Sequence, residues 1–262
     1  MPNYSGSWNL VQQMQAVAAG NWSGGYSGTV GIFALGYNGS SSLTTRNKYT
    51  FQSDVNSGAT AATTASYGGS AAGNSTVGIF ALGLISCAVS TTRNKYIYLG
   101  CVVSSATAAS VASDYGSSTG NSTVGIFSLG NATTTRDKYT YSGCVVASAT
   151  ASSANSCSGA AAGTSTVGIF ALGSAGTTRN KYTYSGCINA VATNASSASY
   201  YQSAAGNSTV SIFALGYING VGASTTRDKY TFSGDTNATA TSSSAHSFGG
   251  SAASNGTTGV NV

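Results

Sequence analysis

The chain has 262 residues, of which 41% are hydrophobic, 10% aromatic and only 6% charged, for a formal charge of +5. That length suits one large domain or two small ones, and the aromatic content excludes a disordered Gly/Ser tract, which would lack such residues. The ten cations are spread evenly along the chain, not gathered on one face as nucleic-acid binding requires.

The chain opens on Tyr4-Ser-Gly, an aromatic followed by small residues. The opening MPNYSGSWNL lacks the basic and apolar regions of a secretory signal. Next comes TVGIFALG around Phe33, short, rich in Val, Ile and Phe and ending in Gly, which reads as a buried strand entering a turn. A loop, YNGSSSL, leads to TTRNKYTF, where β-branched and aromatic residues again favour a strand. Its period of two puts Arg46 and Lys48 on one face and Asn47 with Tyr49 on the other. The small-residue stretch that follows has room for two further strands before the pattern begins again.

The aromatic landmark recurs at Phe51, Tyr98, Tyr141, Tyr184 and Phe232, and the buried-strand Phe at 80, 127, 170 and 213, with Asn261 in register. From landmark to Phe the distance is 29 residues in every copy, whereas from Phe to the next landmark it is 18, 14 or 19. Six units result, each of four short strands, the size of a propeller blade. The expected fold is all-β: a single six-bladed β-propeller over residues 1–262, closed by pairing of its N- and C-terminal strands. Residues 1–24 form the half-blade that completes the blade begun by Gly256–Val262. The alternative is a five-bladed propeller with a separate N-terminal segment. Propellers close around a channel and leave only short protected edges.

The strand order, an apolar strand ending in Gly followed by a variable loop and an aromatic-bearing strand, resembles kelch-type propeller repeats. It departs from them in having a single Gly in ALG and no repeated Trp. The opening SGSWNLVQQMQAVAAGNW with its GIFALG and TRNKYTYSG repeats also resembles bacteriophage virion proteins of the tail or fibre type. That resemblance implies location in the phage particle, with other virion proteins or a host surface glycan or receptor as partner, in a homo-oligomer or larger assembly.

Chemistry is sparse. The chain has no Glu, and Asp137 and Asp228 occupy a repeat position held elsewhere by Asn47, Asn94 and Asn180, a poor place for a proton-transfer acid. The only histidine, His246, has no nucleophile at a recognisable spacing. Cys101, Cys144 and Cys187 share one position with Ser7, Asp54 and Asp235, which reads as a turn, and without paired Cys or His they make no zinc site. No cofactor, metal, nucleic acid or membrane insertion is expected, since no run reaches the ~18 apolar residues of a spanning helix. The Asn-X-Ser/Thr triplets at Asn74, Asn121 and Asn207 read as compositional noise.

Two sets of residues remain. The basic ring, Arg46, Lys48, Arg93, Lys95, Arg136, Lys138, Arg179, Lys181, Arg227 and Lys229, either bonds the neighbouring blade's carbonyls through Arg or presents cations to an anionic surface. The variable loops, all joining the same two strands, emerge on one face, and loops are where a rigid frame carries specificity. Their candidate contact residues are Tyr37, Asn38, Leu84, Ile85, Asn131, Ser174, Tyr217, Ile218 and Asn219. The expected function is a non-enzymatic structural or host-recognition component of a virion. The competing classes are an enzyme degrading host polysaccharide and a soluble kelch-like adaptor.

Overall fold

The computed structural model describes residues 30–34 and 36–254, together with the backbone of 259–261. The expected half-blade in residues 1–24 lies outside the described residues. The fold is all-β, built from small antiparallel sheets. Among the described residues no helix is long and apolar enough to cross a membrane.

The second unit gives the pattern: Ser70–Gly73, Val77–Ala81, Arg93–Ile97 and Val102–Ala106, hydrogen-bonded in chain order. The third unit repeats it in Ser117–Gly120, Val124–Ser128, Arg136–Thr140 and Val145–Ala149. The fourth runs through Ala160–Gly163, Val167–Ala171, Arg179–Thr183 and Ile188–Ala192. In the fifth the strands are Ser203–Gly206, Val210–Ala214, Arg227–Thr231 and Thr236–Ala240. The first unit contributes Val30–Ala34, Arg46–Thr50 and Val55–Ala59, and a sixth begins with Ala252–Ser254 paired to Gly259–Asn261. Register is invariant: the strand Phe always faces the Asn or Asp of the pentapeptide, as in Phe80 with Asn94 and Phe127 with Asp137.

The core lies between sheets. Phe80, Leu82 and Tyr96 of the second unit pack on Ile32 and Ala59 of the first. Phe127, Leu129 and Tyr139 pack on Ala72 and Ile79, and Phe213, Leu215 and Tyr230 on Ile169 and Ala171. Each such ring removed from water contributes about 1.5–3 kcal/mol, so the repeated Phe and Tyr hold one sheet to the next. The aromatic landmarks follow suit less uniformly: Tyr141 and Tyr184 are buried, while Phe51, Tyr98 and Phe232 are half-buried.

The glycine of VGIF explains how sheets come so close. A Cβ on Gly168 would stand 2.4 Å from Thr119 Cγ2 and 2.9 Å from Tyr184 Oη. At Gly125 it would meet Tyr141 Oη at 2.9 Å and Ala72 Cβ at 3.0 Å. The landmark tyrosine therefore fills the notch its own unit leaves open, and the preceding unit's first strand presses on the same spot. Gly31 repeats the contact with Ala253 Cβ, at 3.2 Å, so strands from the two ends of the repeat series lie against each other.

Three of the four described hairpins between first and second strands turn on the Asn-X-Thr triplets, a finding that replaces the reading of these as compositional noise; in the other, Thr164 Oγ1 takes the place of the Asn. Asn121 Oδ1 accepts from the N–H groups of Thr123 and Val124 at 2.9 and 3.0 Å, and Asn74 and Asn207 do the same. An Asn side chain that mimics a backbone turn is the usual reason for Asn at such sites.

Candidate functional site

The basic ring divides in two. Arg46, Arg93, Arg136 and Arg179 are each at most 1% exposed. Every one stacks its guanidinium 4.4–4.6 Å from the centroid of the next unit's Phe: Phe80, Phe127, Phe170 and Phe213. Nη2 then reaches the next unit's pentapeptide: Arg46 donates to Asn94 (3.2 Å) and Arg136 to Asn180 (3.2 Å). Arg93 forms an ion pair with Asp137 (2.9 Å) and Arg179 with Asp228 (2.8 Å). The expected carbonyl acceptors are secondary. Ala108 and Asn194 accept at 3.5 Å, and the main acceptors are side chains of the following unit. Burial lowers the Arg136 guanidinium to about 10, so it stays charged at neutral pH.

Asn and Asp interchange here because a serine adapts. Ser110 donates its N–H and Oγ–H to Asp137, at 3.0 and 2.5 Å. Ser153 likewise donates its N–H to Asn180 Oδ1 (2.9 Å), but its Oγ accepts from Asn180 Nδ2 (2.6 Å). A hydroxyl serves as donor or acceptor by rotation. These arginines are internal fasteners, out of reach of an external anion. Arg227 is half-buried, as are Lys48, Lys95, Lys138 and Lys181, while Lys229 is exposed.

The variable loops form the other set. Each bridges the connection that leaves its own unit: Leu43 to Ser66, Ser90 to Ser113, Thr133 to Ser156, Gly176 to Ser199 and Ser224 to Ser247. Three turn through two successive left-handed residues, Ser86-Cys87, Asn131-Ala132 and Ser174-Ala175, the arrangement that matches strand twist in a tight hairpin. The candidate residues separate accordingly. Tyr37, Asn38, Asn131, Ser174 and Asn219 are exposed. Tyr217 is half-buried, stacked on Tyr200 with ring centroids 5.0 Å apart. Leu84 is buried, Ile85 packs beside Phe80 and Leu82, and Ile218 beside Phe213 and Leu215. Their apolar character serves the core and not a contact surface.

Sequence reasoning missed the connections between units, which run beside these loops. Gly68, Tyr115, Ser158, Tyr201 and Gly249 occupy one position and all have left-handed φ, from 45° to 72°. Consecutive connections are tied together. Tyr115 N–H donates to Gly68 O (2.6 Å), Ser158 N–H to Tyr115 O (2.8 Å), Gln202 N–H to Ser158 O (3.3 Å) and Gly249 N–H to Tyr201 O (3.0 Å). Left-handed backbone is uncommon for a bulky aromatic, and such strain clusters at functional sites. Here it brings rings from different units into contact. Tyr37 meets Tyr67 (5.5 Å), Tyr67 meets Tyr115 (6.4 Å), and Tyr115 meets Tyr201 (5.8 Å) across the intervening unit. Tyr201 and Tyr217 both touch Phe248, at 6.0 and 6.1 Å. Phe248 is 58% exposed and Tyr37 53%. Asp114 is the one carboxylate beside these rings, with its pKa raised by burial.

Among the described residues there is no cluster of His, Cys or Asp able to hold a metal ion. His246 sits on this face with Nδ1 2.7 Å from Ala223 O. Neither a protein-family model nor a curated protein matches the chain.

Proposed function

We propose that the chain is a non-enzymatic recognition module: a six-bladed β-propeller whose loop face binds a glycan through its aromatic platform. The contact of Gly31 with Ala253 supports six blades, since it reproduces at the ends of the series the contact of Gly125 with Ala72 inside it. The observation that carries the function is the run of rings from Tyr37 through Tyr67, Tyr115 and Tyr201 to Tyr217 and Phe248. Apolar patches at a surface mark interaction sites; here Tyr37 and Phe248 are exposed and Tyr67, Tyr115, Tyr201 and Tyr217 half-buried, and tyrosine offers a large rigid face with a hydroxyl rim at little entropic cost. Neighbouring rings meet at 44–90°, so the apolar C–H face of a sugar stacks on one exposed ring at a time, Tyr37 or Phe248, while its hydroxyls bond the exposed Asn131 and Asn219. The near absence of charge on the platform favours a neutral saccharide.

The test is a glycan array with the wild type and the Tyr115→Ala/Tyr201→Ala double variant. Binding of hexose polymers that falls at least tenfold in the variant supports the reading. Retained binding in the folded variant refutes it, and release of oligosaccharides by the wild type would make the protein an enzyme. Location on a phage particle rests on the sequence resemblance alone, and mass spectrometry of purified particles tests it.

A further inference from the structure

At the end opposite the loop face, the turns between third and fourth strands carry Asp54, Cys101, Cys144, Cys187 and Asp235, all with left-handed φ of 52–54°. In the fifth unit this position holds a carboxylate with a full set of partners. Asp235 accepts the hydroxyl of Tyr230 and the N–H of Thr193 (3.1 Å), and feels Lys181 of the preceding unit. In the first unit the Tyr49 hydroxyl is bonded to Asp54.

The cysteine units keep the same surroundings without the carboxylate. Lys95 Nζ lies 3.6 Å from Cys144 Sγ, and Lys138 Nζ 3.6 Å from Cys187 Sγ. Around Cys101, a cavity of about 230 Å³ is lined by Lys48 and Tyr96 among others. The hydroxyls of Tyr96, Tyr139 and Tyr182, on side chains 0% exposed, make no hydrogen bond of normal geometry. Each lies beside the cysteine of its own unit and the backbone N–H of Thr60, Thr107 or Thr150. Sulfur is a weak acceptor, so a buried hydroxyl and an ammonium converge on a group that satisfies neither. All three cysteines are half-buried, at the edge of the core.

We propose that Cys101, Cys144 and Cys187 are modification sites at which a peroxide converts the thiol to a sulfinic acid, supplying the anion that Asp235 supplies in the fifth unit. In the first step sulfur attacks the peroxide O–O bond, forming S–O and releasing water: RSH + H2O2 gives RSOH + H2O. A second peroxide repeats it: RSOH + H2O2 gives RSO2H + H2O. Each step oxidises sulfur by two electrons and reduces one peroxide, and the acid proton passes to solvent. Here the product gains two oxygen acceptors for a waiting tyrosine hydroxyl and lysine ammonium. Oxidation therefore tightens the contact between units.

The experiment uses the full chain with Cys87→Ser and Cys157→Ser, which removes the two thiols on the opposite face. After hydrogen peroxide treatment, peptide mass spectrometry should find a gain of about 32 Da at each of the three cysteines. Tm should rise by about 2–4 °C per site for a chain of this size. Tyr139→Phe and Lys95→Met should remove the Cys144 share of that rise. Cys144→Asp should raise Tm without any oxidant. A fall in Tm on oxidation, a product reversed by dithiothreitol, or a gain of about 14 Da, the mark of a lysine–oxygen–cysteine link, would each overturn the proposal.

Discussion

The arginine fasteners permit a worked prediction, because the chain contains both a charged and a neutral version of one contact. Arg93 and Asp137 are each fully buried and paired at 2.9 Å, and Asp137 also holds both polar groups of Ser110. Arg93→Ala removes the cation, its stack on Phe127 and its ion pair, leaving a buried carboxylate with serine alone. Breaking a buried pair in this way costs about 3–5 kcal/mol. Asp137→Asn recreates the arrangement that Asn180 already makes with Arg136 and Ser153. It exchanges an ion pair for a hydrogen bond in which only the arginine is charged, a difference of about 1 kcal/mol. The double variant should then be more stable than Arg93→Ala alone by about 1–2 kcal/mol, since the uncompensated charge is gone. Urea denaturation followed by circular dichroism measures all three, with interaction energies read from the cycle. Equal costs for the two single variants, or a double variant that is simply additive, would refute an electrostatic fastener and leave only packing.

Gly168→Ala should destabilise by about 1–3 kcal/mol through overpacking, because its Cβ would fall 2.4 Å from Thr119 Cγ2; Tm by calorimetry checks it, and an unchanged Tm would mean the sheets are looser than described. Alkali should unfold the protein between pH about 10 and about 12. Burial raises Tyr96, Tyr139 and Tyr184 to about 12 and Tyr141, Tyr182 and Tyr230 upward as well. The folded state holds these protons more tightly, so their contribution is complete below the unfolded value of about 10 and is lost as pH rises through the folded values. The lowered guanidinium groups of Arg46, Arg93, Arg136 and Arg179 act in the opposite direction, but the six tyrosines outnumber them. Phenolate absorbance should therefore rise together with loss of the strand signal, and ionisation without unfolding would contradict the assignment.

The repeat itself was legible in the chain. A fixed 29-residue interval and a free one, a Val-Ile-Phe strand and a basic strand of period two imply stacked antiparallel units. Alternation likewise sets Arg apart from Asn or Asp. These are local properties, set by steric preference and by the two-residue period of a pleated strand. What lies opposite each face is a different matter, because the partners stand 44 to 49 residues away in the next unit. Only packing of sheet on sheet makes Asn180 and Asp228 equivalent acceptors, turns Leu84 and Ile218 inward, and brings Tyr115 onto Tyr201. The left-handed backbone at those two tyrosines has no sequence signal, since the same position accepts Gly68 and Ser158. It is imposed by hydrogen bonds between successive connections, which exist only once the units stand side by side.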